Sequence, residues 1–153
     1  MPSFIGTYTY AIDHKGRIAI PASMRRGESA KKSLTTFFLN RGFEGCVAVY
    51  SPDSWQRMLE KIRRFSPGNP KARAFKRAFL KDAAEVTVDT QGRVTIPPAL
   101  ITLAALGKDA VLHGSDNCIE IWNPKRFEEK STLTVDTTGS FEDLADGLFE
   151  EGA

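Results

Sequence analysis

The chain repeats itself, and no other feature limits its possible folds as much. Ile12-Asp13-His14-Lys15-Gly16-Arg17-Ile18-Ala19-Ile20-Pro21 aligns without gaps on Val88-Asp89-Thr90-Gln91-Gly92-Arg93-Val94-Thr95-Ile96-Pro97; five of the ten positions are identical and two more exchange Ile for Val. A second pair of blocks follows, Cys46-Val47-Ala48-Val49-Tyr50-Ser51-Pro52 and Cys118-Ile119-Glu120-Ile121-Trp122-Asn123-Pro124, with Trp55 and Phe127 three residues beyond the prolines. The offsets are 76 and 72 residues. Two ordered blocks at nearly one offset mark a duplicated unit.

Each unit reads as a small β element. Tyr8–Ile12 and Arg17–Ile20 are strand-like, and Gly16 supplies the positive φ that a hairpin loop at His14-Lys15-Gly16 needs. Ile20 and Ile96 precede proline, which ends each strand in extended geometry, and Pro21 and Pro97 suit the first turn of a short helix. Cys46–Tyr50 and Cys118–Trp122 read as closing strands. Ser51-Pro52 and Asn123-Pro124 each pair an N-cap with a proline at the first helical position. Between the units, Asp53–Phe65 and Lys71–Lys81 carry helical spacing around the stop Ser66-Pro67-Gly68-Asn69-Pro70. The aromatic stripe of these segments favours a helical hairpin packed on the core over a helix-turn-helix reader.

Charge is distributed unevenly along the 153 residues. Residues 1–80 hold 15 Lys/Arg against 5 Asp/Glu, and residues 81–153 hold 6 against 14. Nine bases lie between Arg57 and Lys81 with the single acid Glu60, and Ser131–Ala153 has six acids and no base. This pattern suits a polyanion partner and an interaction or self-screening tail, or two solvated faces that neutralise each other. No stretch approaches a membrane span, and the N-terminus has no secretory pattern. Cys46 and Cys118 are too few for a disulfide framework, so a cytoplasmic chain with reduced thiols is expected.

The Asp-x-x-Gly-Arg motif, taken singly, reads as a structural clasp. Asp13 and Arg17 flank a short loop, where such a pair is worth roughly 0.2–1 kcal/mol, and the carboxylate can accept loop N–H groups. Two copies change the weighting. Alternation sends Ile18, Ile20, Val94 and Ile96 to the core and Arg17, Ala19, Arg93 and Thr95 outward. A pseudo-twofold axis would bring both loops to one surface, offering Lys15, Arg17 and Arg93 with His14, Thr90 and Gln91 between them. Arginine bridges phosphate or guanine bidentately and glutamine can pair with adenine, so nucleic acid suits this surface. Asp13 and Asp89 would then orient the arginines.

The doubled motif, together with Phe4-x-Gly6, Trp55, the Pro70–Phe79 helix and Ile119-Glu120-Ile121-Trp122, resembles the SpoVT/AbrB-type swapped-hairpin domains, duplicated as in the MraZ family of transcriptional regulators. The resemblance covers most of residues 1–127. It implies an α+β, β-rich fold: a pseudo-twofold, double-psi-like barrel with a helical hairpin insertion. The implied divisions are a first repeat over 5–52, a helical linker over 53–82, a second repeat over 83–127 and a mobile acidic tail over 128–153. It also implies a cytoplasmic, nucleoid-associated regulator of the division and cell-wall gene cluster. Such a regulator forms ring-shaped homo-oligomers on direct repeats of double-stranded DNA upstream of its own operon, without membrane or cofactor. The DNA-contact set carried over is His14, Lys15, Arg17, Arg25, Gln91 and Arg93, with Asp13, Gly16, Asp89 and Gly92 shaping the loops. One position departs from the family pattern. Arg25 follows Met24, but Ile101 rather than a base follows Leu100, so weaker DNA binding is expected of the second half.

Two other classes compete with this one. An antitoxin-like module would use the acidic composition of Asp136–Glu151 and the anchors Phe141, Leu144, Leu148 and Phe149, although duplication within one chain argues against it. An enzyme finds little support: there is no phosphate-loop glycine motif, no metal-ligand spacing, and neither His14 nor His113 stands beside a nucleophile motif. His113 is expected to be a satisfied buried or edge residue, and the two cysteines small buried hydrophobes.

Overall fold

Each repeat lays down the same series of elements, and a computed structural model places them for residues 3–26, 33–132 and 140–152. The first repeat gives β1 (Phe4–Ala11), β2 (Arg17–Ala19), a 3-10 turn (Ala22–Met24), β3 (Thr36–Arg41), β4 (Val47–Tyr50) and α1 (Pro52–Arg63). After α2 (Pro70–Leu80) the second gives β5 (Ala84–Thr87), β6 (Arg93–Thr95), α3 (Pro98–Leu103), β7 (Asp109–Asp116), β8 (Ile119–Trp122) and α4 (Pro124–Ser131). In the acidic end, read from sequence as a mobile tail, α4 runs to Ser131 and α5 occupies Phe141–Gly152. Asp136 lies outside the described residues.

The strands form an antiparallel six-stranded sheet in the order β1-β7-β8-β4-β3-β5 and a separate two-stranded ribbon of β2 with β6. Exchanging the repeats (β1 for β5, β3 for β7, β4 for β8) turns the large sheet's order into its own reverse. The expected pseudo-twofold is therefore present in the pairing.

Two expectations need correction. The local hairpin between Tyr8–Ile12 and Arg17–Ile20 is not a paired unit: β1 pairs with β7 from Phe4↔Asp116 to Ala11↔Asp109, and β2 pairs with β6. The closed barrel is not formed either, because β1 and β5 remain the edges of an open sheet. The physical reason is the length of the central strands. Proline at position 21 or 97 has no N–H with which to extend a ladder, so β2 and β6 stop after three residues and add no continuous ladder to the sheet. The turns tie the ribbon to the ends of β1 and β5 through isolated bonds, Asp13 N–H to Arg17 O (3.0 Å) and Asp89 N–H to Arg93 O (2.9 Å).

The core lies between the ribbon and the sheet. Ile18, Ile20, Val94 and Ile96 are buried from the ribbon side, with Met24 and Leu100 from the turns that follow and Phe37, Leu39, Leu112, Ile119 and Ile121 from the sheet. Each fully buried side chain of this size stabilises by roughly 1.5–3 kcal/mol. The helical hairpin forms as expected. Trp55, Ile62 and Phe79 pack on Ala48 and Tyr50, and Trp55 stacks 5.5 Å from Phe38 and 6.2 Å from Phe79. The proline-led helices are capped as predicted: Ser51 Oγ accepts the Ser54 N–H at 3.2 Å, and Asn123 Oδ1 accepts those of Lys125 and Arg126 at 3.0 and 3.1 Å.

Candidate nucleic-acid interface

The two Asp-x-x-Gly-Arg loops adopt one geometry. Asp13 Oδ1 accepts the backbone N–H of Lys15 and of Arg17, each at 2.9 Å, and its Oδ2 accepts Arg17 Nε at 2.6 Å. Asp89 repeats this on Gln91 N (2.9 Å), Arg93 N (2.9 Å) and Arg93 Nε (2.9 Å). Each carboxylate thus closes its loop and fixes its arginine in one contact set. The hydrogen bonds hold Asp13 in its charged form and lower its pKa to about 2, the Arg17 backbone N–H contributing most; Asp89 is lowered by the corresponding bond from Arg93. Gly16 and Gly92 sit at φ +78° and +77°, and their carbonyls accept the N–H of Ile96 (2.8 Å) and Ile20 (2.9 Å) from the opposite repeat.

Because β2 pairs with β6, the loops stand side by side. Arg93 Nη1 lies 3.7 Å from Asp13 Oδ2, so Arg17 and Arg93 converge on a single carboxylate while both guanidinium side chains stay about a quarter exposed. His14, Lys15, Thr90 and Gln91 are exposed on the loop tips. Alternation falls as expected: Ile18, Ile20, Val94 and Ile96 are buried, whereas Arg17, Ala19, Arg93 and Thr95 are not. The ribbon therefore presents the two arginines on a face whose reverse is core.

Arg25 is where the structure adds most. It lies beside the second loop, not the first: its Nε donates to Ile20 O at 2.8 Å, and its guanidinium spreads over Gly92, 3.0 Å from where a Cβ would stand. Ile101, its counterpart in the second repeat, covers Gly16 in the same way, with Cδ1 3.2 Å from a Cβ position there. The position that follows each ribbon strand thus serves the other repeat's loop. Sequence comparison places Arg25 with the first half; the exchanged pairing puts it with Gln91 and Arg93. Lys108 is a further cation that sequence reasoning missed. It joins Ala11–His14 in lining a shallow groove, through a β1–β7 neighbourhood that no local spacing signals.

The remaining titratable groups have structural surroundings. Burial pushes the Cys118 thiol up to about 12 and Cys46 higher still, away from the thiolate that nucleophilic chemistry needs. His113 has Nδ1 3.1 Å from Thr7 Oγ1 and its ring 5.3 Å from Phe127; it is satisfied as expected, but it is half-buried on the interior strand β7, neither fully buried nor at a sheet edge. Among the described residues no group of three His, Cys, Asp or Glu side chains could hold a metal ion, and no helix is long and apolar enough to cross a membrane.

Comparison with known proteins agrees with the doubled motif. The family model "MraZ protein, putative antitoxin-like" matches twice, over residues 3–78 and 79–142. Among similar curated proteins, the transcriptional regulator MraZ of Thermomicrobium roseum is 39% identical over 130 residues, 85% of this chain and 88% of that protein. Those of Natranaerobius thermophilus (35% identical, 96% of this chain and 97% of that protein) and Caldanaerobacter subterraneus subsp. tengcongensis (39%, 94% and 95%) span nearly the whole length. With both repeats matched and relatives above 30% identity covered almost end to end, the chain belongs to the MraZ family.

Proposed function

We propose that this protein is a transcriptional regulator that grips double-stranded DNA with its paired ribbon loops. The observation that carries the reading is the convergence of Arg17 and Arg93 on Asp13, with Lys15 and Gln91 exposed beside them. Held guanidinium groups lose less entropy when they engage a phosphate or guanine edge, and the side-by-side loops suit consecutive contacts along one groove. The relatives' name, transcriptional regulator, supports the role. The finer content goes with it: direct repeats upstream of the chain's own operon in the division and cell-wall cluster, a ring-shaped homo-oligomer on the nucleoid, and a swapped-hairpin fold whose two repeats, 5–52 and 83–127, exchange their ribbon strands around the linker 53–82. The contact set is His14, Lys15, Arg17, Arg25, Gln91 and Arg93.

The position of Arg25 moves its charge to the other loop. The second loop combines Arg25, Gln91 and Arg93, and the first combines His14, Lys15 and Arg17 beside Ile101, so each loop offers two motif cations to the DNA.

A mobility-shift titration on DNA from upstream of the protein's own gene, repeated at several salt concentrations, tests the reading. Affinity falls with a log–log slope near −0.9 per phosphate contact. Arg17→Ala and Arg93→Ala each weaken binding, and unchanged binding by both removes the site. A second reading, an antitoxin-like module, is favoured by one observation, the apolar face of α5. Loss of a foreign partner on deleting Ser131–Ala153, with DNA binding intact, would select it.

A further inference from the structure

The helical hairpin and the C-terminal helix are complementary surfaces, and each is uncovered within one chain. Between α1 and α2 lies a cleft of about 400 Å³ whose charged lining is wholly basic: Arg63, Arg73, Lys76 and Arg77, over an apolar floor that includes Ile62 and Phe65. None of these four bases has an acidic partner within ion-pair distance among the described residues. Phe65 is 44% exposed at the rim and meets Phe75 edge-on, with ring centres 5.8 Å apart.

Helix α5 has the opposite design. Phe141, Leu144, Ala145, Leu148 and Phe149 fall at i, i+3, i+4, i+7 and i+8, a single stripe, and the other face carries Glu142, Asp143, Asp146, Glu150 and Glu151 with no base. Phe141, Leu148 and Phe149 are 70%, 63% and 79% exposed and Leu144 and Ala145 are half-buried, so both ends of the stripe are uncovered. An amphipathic helix of 12 residues with such a face stabilises poorly until it packs on something.

We propose that α5 of one copy docks in the α1–α2 cleft of a second copy, its apolar stripe on Phe65 and the cleft floor and its acids against Arg63, Arg73, Lys76 and Arg77. Charge complementarity selects this occupant. The cleft offers four bases and no acid, α5 offers five acids and no base, and five acids in twelve residues make α5 a poor ligand for DNA. A second copy is the source because no α5 residue lines the cleft of its own chain. The contact would link copies through a surface remote in sequence from the ribbon loops, so it stands or falls independently of DNA binding.

The test is zero-length carbodiimide coupling of carboxylates to lysines on full-length protein. Normal and 15N-labelled chains are mixed in urea and refolded together, and the joined peptides are identified by mass. The expected product joins a residue 142–151 carboxylate to Lys76 or Lys71, with mixed-isotope pairs about half of the total. Its yield falls at least fivefold in 1 M salt, where the screening length shrinks to about 3 Å. It falls likewise in the doubly substituted Leu148→Ser, Phe149→Ser protein, which keeps its fold because both side chains are solvent-exposed, and in Arg73→Glu, Arg77→Glu. Absence of α5–α2 products overturns the proposal. So do single-isotope products only, which would place α5 on its own copy, or products indifferent to all three changes. Protection of Lys76 from acetylation by duplex DNA, without any α5 product, would make the cleft a nucleic-acid surface and also overturn it.

Discussion

Gly16 and Gly92 occupy the same place in the two repeats and have nearly the same φ, yet alanine at each should act differently. Both substitutions force a Cβ into left-handed backbone, which costs roughly 1–2 kcal/mol. What the new methyl meets then separates them. At Gly16 it lies 3.3 Å from Ile96 O, a carbonyl in the ribbon backbone, and 3.2 Å from Ile101 Cδ1. At Gly92 the three nearest atoms all belong to the Arg25 guanidinium, at 3.0–3.2 Å, the movable end of a half-buried side chain. Backbone crowding adds about 1–3 kcal/mol at Gly16, whereas Arg25 can swing aside at Gly92. With a urea slope of about 2 kcal/mol per molar, Gly92→Ala should lower the midpoint by about 0.5–1 M and Gly16→Ala by at least about 1 M. The order reverses in function. On the proposed interface, displacing Arg25 removes one phosphate contact, so the slope of log affinity on log salt should flatten by about 0.9 in Gly92→Ala. Between 50 and 200 mM salt that is about 3.5-fold less loss of affinity. Urea unfolding at one fixed protein concentration and mobility shifts across that salt range read the two effects. Equal midpoints, or a salt slope in Gly92→Ala equal to that of the unsubstituted protein, would refute the crossed arrangement.

Ile101→Arg should supply the first loop with the cation that Arg25 gives the second, steepening the salt slope by about 0.9 and tightening DNA binding at low salt in mobility shifts. Asp13 titrates at about 2 in the folded chain against an ordinary 3.8, so its contribution to stability is complete above about pH 4 and is lost as pH falls from there toward 2. Urea midpoints measured down that range should fall less steeply in Asp13→Asn. Trp55→Ala removes the ring stacked among Phe38, Tyr50 and Phe79 and should cost about 3–5 kcal/mol by urea unfolding, with loss of the aromatic near-ultraviolet signal.

The loops were legible in the sequence because their chemistry is local. Asp13 and Arg17 stand four residues apart, and their hydrogen bonds need only the turn that Gly16 permits. The same holds for the caps at Ser51 and Asn123 and for the helical stripe through Trp55 and Phe79, whose periods and breakers lie within a dozen residues. Corrections were confined to partner choice. Tyr8–Ile12 beside Arg17–Ile20 has the pattern of a hairpin, and strand pattern specifies a buried face without specifying which strand lies alongside.

Composition, repeat and motif therefore determined the doubled architecture, the element types, the inward and outward faces of the ribbon, and the charged loops as the place to look. Tertiary structure alone decided that β2 pairs with β6, that Arg17 and Arg93 share Asp13, and that Arg25 lies over Gly92 while Ile101 lies over Gly16. The physical reason is that hydrogen-bonding ladders are interchangeable between two similar strands. The choice among them is made by burying Ile18, Ile20, Val94 and Ile96 together against one sheet, a gain that no single segment of the chain contains.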